Sequence, residues 1–301
     1  MEPDDVPESV LNTHGKARAI SFEKMSPANK FSLAGVQMKF SMKEKDGRYN
    51  LCKGDMLGDW IVKTPSTTHK DVPENEYTAM KLAELVGVNI PEIKLVELGK
   101  LDNLPQINLP DEKLAFAIKR FDRDGDVRIH MEDFAQVLVK YAHEKYNSAN
   151  YEQIGRIIYG YSGDGLGDVQ QFARRLLANI LLANGDAHLK NWSLVYSDKI
   201  TPRISPAYDI VMTSVYIDGE RNYALNLGNT RDWYEVSMAH FQSWCDRAEI
   251  PWRVIKPHLE DVMDRARNLW RKAIEDLPMN EMYKKKLKSH WENLHEDFQI
   301  K

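Results

Sequence analysis

The chain has 301 residues, 43% of them apolar and 29% charged, with a net charge of −4. That suffices for one large domain or two lobes around a packed core, and the mildly acidic balance gives no whole-protein footprint for nucleic acid. Two cysteines, Cys52 and Cys245, make no disulfide framework and suit a reducing cytoplasm, and no run approaches the roughly eighteen apolar residues of a membrane span.

In chain order, the acidic, Pro-containing start Met1-Glu2-Pro3-Asp4-Asp5-Val6-Pro7 is not a signal peptide, and residues 1–20 are expected to be flexible. Residues 31–42 read as strand, tight turn near Gly35, strand. Asp46-Gly47 signals a hairpin. Residues 60–63, Trp-Ile-Val-Lys, make a short strand stopped by Pro65. Residues 74–86 have near-helical period, with Gly87 as the residue after the cap. Residues 114–120 are another apolar strand. Past Arg128 the character turns helical. Residues 132–143 place Phe134, Val137, Leu138 and Tyr141 on one face, and residues 147–168 read as a loop holding one short helix. Residues 168–184 form a strong helix, with Val169, Phe172, Ala173, Leu176, Leu177 and Ile180 recurring at three and four and Asp168 as N-cap. A short strand follows at 192–196, and further helices are expected near 254–276 and 280–298. The whole is α+β and bilobal: a small β-rich N-lobe at 21–120, a larger, mostly helical C-lobe at 121–301, and a ligand cleft where they meet.

The stretch Asn184-Gly185-Asp186-Ala187-His188-Leu189-Lys190-Asn191 carries the chemistry. Its carboxylate and carboxamide stand five residues apart, the D-x-x-x-x-N spacing of a protein-kinase catalytic loop. A second acid, Asp209 in Ala207-Tyr208-Asp209-Ile210, comes eighteen residues after Asn191. Asp186 is the candidate catalytic base. Asn191 and Asp209 offer the hard oxygens that Mg2+ takes. Lys190 could bind the transferred phosphate and His188 could orient the loop. Lys63 ends a short strand, as a lysine reaching the α- and β-phosphates of ATP would, with Glu76 as first-choice partner and Glu74 as second. Residues 32–39, Ser-Leu-Ala-Gly-Val-Gln-Met-Lys, would cover the phosphates through Gly35, Val36 and Gln37. Each residue alone is ordinary: Asp and Asn favour turns, and a lone lysine or histidine is usually a surface or satisfied polar group. The joint order of loop, Lys, Glu-bearing helix, D-x-x-x-x-N and Asp is what points to phosphoryl transfer.

These segments, with Lys119-Arg120-Phe121-Asp122-Arg123, resemble the HipA family of bacterial serine/threonine kinases, from about Phe31 to about Leu269. The resemblance implies a protein-kinase-like fold and an ATP- and Mg2+-dependent toxin of a type II toxin–antitoxin system. In such a protein Asp186 is the base, Asn191 and Asp209 hold magnesium, and Lys63 meets ATP. Lys119, Arg120 and Phe121 form the adenine hinge, and Ser32 is autophosphorylated to inactivate the enzyme. It further implies an aminoacyl-tRNA synthetase as substrate and a HipB-like helix-turn-helix antitoxin through which DNA is met indirectly. The short HipT-like form is the nearer likeness, with a small HipS-like protein as a further partner. No membrane role is implied, and the place is the bacterial cytoplasm, with export into a host left open. Alternatives are a kinase-fold phosphotransferase for small alcohols, a pseudokinase binding module, and a metal hydrolase using His130, His143 and His188, which lack tight ligand spacing.

Overall fold

The computed structural model describes residues 37–53, 56–146 and 148–301. The expected flexible start and the first strand and turn within 31–36 lie outside the described residues. Strands β1 (Lys39–Lys45) and β2 (Arg48–Leu51) make the expected hairpin. Asp46 and Gly47 both have positive φ, 52° and 75°, the primed-turn geometry whose twist suits antiparallel strands. Strand β3 (Trp60–Lys63) ends just before Pro65. Helix α1 (Val72–Leu85) has Pro73 in its first turn, where a missing N–H costs nothing, and stops at Gly87, φ 80°. Strands β4 (Ile93–Glu97), β5 (Leu101–Asp102) and β6 (Leu114–Lys119) complete a sheet of order β4-β6-β3-β1-β2-β5 among the described residues. Strand periodicity divides β6 between two cores. Ala115 and Ala117 join Met42, Trp60 and Val62 on one face, while Phe116 and Ile118 face the main core with α1.

Two short strands, β7 (Arg123–Asp124) and β8 (Val127–Arg128), pair with each other. The helix expected over 132–143 is absent. Strand β9 (His130–Asp133) occupies its start, a single turn α2 (Phe134–Val137) follows, and Tyr141 is 75% exposed. Periodicity loses here to three facts. Residues 130–133 gain a full ladder against residues 193–196; Asp133 and Gln136 close a capping box; and Val139 sits at φ 52°, which ends any helix.

Helix α3 (Tyr151–Tyr161) is the short helix expected in the loop, capped by Asn150. Helix α4 (Gly165–Leu181) buries Val169, Phe172, Ala173, Leu176, Leu177 and Ile180 completely. Its cap is Asp164, which accepts from Gly167 N at 3.0 Å, and not Asp168, whose carboxylate is held by Arg203. Strands β10 (Ser193–Tyr196), β11 (Arg203–Ile204), β12 (Asn222–Leu227) and β13 (Thr230–Asp232) precede helices α5 (Met238–Ala248), α6 (Trp252–Asp276) and α7 (Glu281–Asn293). The sequence pattern offered no sign of α5. Helix α1 is joined to this helical body: Asn75 Nδ2 donates to Met212 O and its Oδ1 accepts from Met212 N, both at 3.0 Å, while Trp270 Nε1 on α6 donates to Leu82 O at 2.9 Å.

Candidate active site

Helix α4 delivers the chain into a tightly built turn. Ala183, at φ 50°, ends the helix. Asn184 Nδ2 donates to Asn179 Oδ1 at 2.7 Å, and Asn184 Oδ1 accepts from Asp186 N at 3.0 Å. Gly185 N donates to Thr213 Oγ1 at 2.7 Å, and a Cβ at Gly185 would collide with the Glu220 carboxylate. Asn184 and Gly185 thus make room for Asp186 and aim it.

Asp186 is 7% exposed. Burial pushes its pKa up to about 7, against the Tyr146 hydroxyl that donates to it and the nearby Lys145 cation. His188 Nε2 lies 3.7 Å from Asp186 Oδ1, but burial, then Lys145, pulls the imidazole down to about 3. At neutral pH His188 is therefore uncharged and serves as packing beside the acid, with its ring 5.0 Å from that of Tyr146. Asn191 Nδ2 donates to the Asp186 carbonyl at 2.7 Å, locking the loop across its five-residue span.

Asp209 follows in a left-handed conformation, φ 54°. It meets Lys63 in an ion pair, and Lys39 Nζ stands 3.4 Å from its other oxygen. Burial alone would raise its pKa; Lys63 and then Lys39 hold it well below the usual carboxylate range. Lys63, with a side chain only 4% exposed, also pairs with Glu76 on α1. Burial opposes its charge, yet Asp209 and Glu76 together raise its pKa. Glu74 points elsewhere, gathered with Asp71 and Glu112. Lys190 Nζ sits 3.6 Å from Asp133 Oδ2.

Of these groups Lys39, Lys63, Asp133, Lys190 and Asp209 line a cleft of about 260 Å³, and Asp186, His188, Asn191 and Glu76 stand outside its lining. Lys39, Lys63, Lys190 and Asp209 form its polar end; Ile61, Ile118, Phe121, Met131 and Tyr208 form its apolar end. The polar end suits phosphate and a hard cation, the apolar end a flat ring. In the segment expected to form a hinge, the amides of Lys119 and Arg120 are already spent on Glu92 O and Asp59 O, and the Arg120 guanidinium on Asp122. The ring of Phe121, 5.7 Å from that of Tyr208, lines the cleft there. Gln37 is buried with both amide atoms unpaired. Ser32, Gly35 and Val36 lie outside the described residues.

Sequence reasoning missed Tyr146, which announces itself by no motif, and Tyr208, hidden in plain view beside Asp209. It placed Lys39 in the phosphate loop but not against Asp209. His130 and His143 are exposed and stand apart from buried His188; the cluster of potential metal ligands among the described residues is Asp71, Glu74 and Glu112 instead.

A family model described as the HipA-like C-terminal domain matches residues 31–270. The Sinorhizobium fredii protein Y4dM, which carries a provisional kinase name, is 40% identical over 255 residues, covering 84% of this chain and 62% of that protein. The serine/threonine-protein kinase toxin HipA of Shewanella oneidensis is 25% identical over 256 residues, 78% of this chain and 55% of the toxin. The chain thus spans less than two thirds of the length of these curated relatives. Among solved structures, the Shewanella oneidensis MR-1 complex of HipA, HipB and operator DNA matches with a TM-score of 0.72 at 21% identity, over 91% of this chain and 67% of that one. The Helicobacter pylori proinflammatory kinase CtkA matches with a TM-score of 0.52 at 15% identity, over 89% of this chain and 91% of that one. Both likenesses are of fold: α+β, bilobal and kinase-like, as the sequence led one to expect.

Proposed function

The chain belongs to the HipA-like C-terminal domain family, and on that footing we propose that it is an ATP-dependent serine/threonine protein kinase. The observation that carries this reading is the meeting of Lys63, Glu76 and Asp209 at the polar end of a cleft whose other end is apolar. Asp186 lies in the adjoining loop, beside the residues that would face the phosphates.

In this reading adenine packs between Ile61, Ile118, Phe121 and Tyr208, and Lys63 neutralises the α- and β-phosphates. Asn191 and Asp209 would hold magnesium, which supplies charge neutralisation on the phosphates. The donor set fits, since Asp209 stays anionic and Asn191 is fixed by its bond to the Asp186 carbonyl. Asp186 accepts the proton of a substrate hydroxyl as the γ-phosphoryl group moves to that oxygen and ADP leaves. Lys190 steadies the moving group. Neutral His188 packs beside Asp186.

The finer assignment rests on family likeness. The chain would act as the toxin of a type II toxin–antitoxin pair in the bacterial cytoplasm, phosphorylate an aminoacyl-tRNA synthetase, and inactivate itself at Ser32. A HipB-like antitoxin would be its partner and its link to DNA, because the Shewanella HipA of like fold was solved with HipB and operator DNA. A HipT-like organisation adds a small HipS-like protein, to be sought by co-purification. No helix among the described residues is long and apolar enough to cross a membrane.

The test is transfer of radiolabelled γ-phosphate to protein, followed by phosphoproteomics of cells expressing wild type or Asp186→Asn. Loss of at least about a hundredfold in transfer is expected, the scale of a general-base contribution. Labelling by the variant at the wild-type rate, or transfer only to small alcohols, rejects the assignment.

A further inference from the structure

The backbone of Asp186 is held at both ends. Its N–H donates to Asn184 Oδ1 at 3.0 Å, and its carbonyl accepts from Asn191 Nδ2 at 2.7 Å. Neither bond fixes the carboxylate, whose terminal torsion is broad and two-fold. Among the described residues the carboxylate takes one hydrogen bond, from the Tyr146 hydroxyl to Oδ1. His188 Nε2, 3.7 Å away, lies against that same oxygen. Oδ2 takes no bond from the described residues, and the side chain keeps 10% of its surface open.

Tyr146 is itself held by two elements. One is the catalytic loop: the Tyr146 ring meets that of His188 edge to face, centroids 5.0 Å apart, and the preceding carbonyl, of Lys145, accepts from Leu189 N at 3.3 Å. The other is the β12–β13 hairpin. Arg231 of β13 donates from Nη2 to Tyr146 O at 3.2 Å and from Nε to Asn226 Oδ1 of β12 at 2.6 Å. Asn226 in turn forms a parallel bridge with Asn150, the cap of α3. The hairpin thus grips Tyr146 and Asn150 together, and the path from Arg231 to the carboxylate runs through the tyrosine.

We infer that Tyr146 and Arg231 are positioning residues of the phosphotransfer. The Tyr146 hydroxyl pins Oδ1 and leaves Oδ2 to take the proton of the attacking hydroxyl; Arg231 acts through Tyr146, by fixing the chain that carries it. As the bond from that hydroxyl oxygen to the γ-phosphorus forms, its proton passes to Oδ2 and the bond to ADP breaks. The inference rests on the kinase reading above. A carboxylate free to turn spends part of its time with neither oxygen on the hydroxyl, and misplacement on the ångström scale costs up to about a hundredfold. Such a loss falls on turnover and leaves the binding of ATP in place.

Turnover of radiolabelled magnesium-ATP by the full chain is counted as phosphate released to water plus phosphate on the chain itself, which requires no identified protein substrate. It is measured on the alkaline plateau of the pH–rate profile, where Asp186 is ionised in every variant. Tyr146→Phe and Arg231→Leu should each lower kcat at least about tenfold, with KM for ATP and affinity for magnesium-ADP within about twofold of wild type. The double variant should be no slower than Tyr146→Phe by more than about twofold, because one residue works through the other. Arg231→Lys, which can still donate to the Tyr146 carbonyl, should stay within about threefold of wild type. Melting temperatures show which variants are folded; if Arg231→Leu is not, Asn226→Ala, which loosens Arg231 from an exposed position, takes its place. Unchanged kcat in the folded single variants, losses that multiply in the double variant, or ATP affinity that falls along with kcat overturns the positioning. No turnover by wild type, or full turnover by Asp186→Asn, sinks the kinase reading and this inference with it. Inactive Asp186→Asn beside fully active Tyr146 and Arg231 variants sinks the positioning alone.

Discussion

Asp186 is asked to be two things at once: buried enough to hold a proton and ionised enough to take one. With its pKa near neutrality, at about 7, phosphotransfer should rise with pH through that region. The Tyr146 hydroxyl donates to the carboxylate and lowers its pKa. Tyr146→Phe should therefore move the acid limb of the pH–rate profile to higher pH, measured as the midpoint of kcat against pH; a limb that stays put would mean that another group sets it. The same burial has a cost in stability. The folded state holds a proton on Asp186 between about pH 4 and 7 where the unfolded chain has released it, so stability falls as pH rises through that window. Asp186→Asn removes this loss, and its melting temperature should exceed that of wild type by more at pH 8 than at pH 5. That Asp186, Asn191 and Asp209 fall close together was legible because loop chemistry fixes their spacing. Tyr146 was not, since it reaches Asp186 from forty residues away along the chain, and nothing local marks such a contact.

At the level of elements, legibility followed length and regularity. The hairpin at Asp46-Gly47, strand β3 and helices α1, α4, α6 and α7 came through because periodicity, turn residues and stops agree there. The helix expected over 132–143 failed because pairing with β10, about sixty sequence positions away, outbids a local pattern. Close packing was also invisible. Gly155 on α3 faces Trp244 of α5 so tightly that a Cβ would lie 2.6 Å from the indole, while Trp244 Nε1 donates to Tyr151 O at 2.9 Å. Propensity alone favours Gly155→Ala; overpacking opposes it. A net destabilisation of about 1–3 kcal/mol is expected by urea denaturation, and a gain in stability would show that α5 yields easily.

For the molecule as a whole, the Lys63, Glu76 and Asp209 cluster ties strand β3, helix α1 and the segment after β11 into one buried electrostatic unit. Removing the cation strands both acids. Lys63→Met should cost about 3–5 kcal/mol in denaturant unfolding, and adding Glu76→Gln should restore part of it; full stability in the single variant would mean that Lys39 replaces the lost charge.

The stitching of α1 to the helical body reaches further. Asn75 grips Met212 with both ends of its amide, and the Trp270 indole holds the far turn at Leu82. To swing that helix aside, and Glu76 with it, the molecule would have to tear buried polar groups from both ends. Any motion that levers the helix outward would first have to break these bonds, which makes the helix a fixed floor for the ion pair it carries.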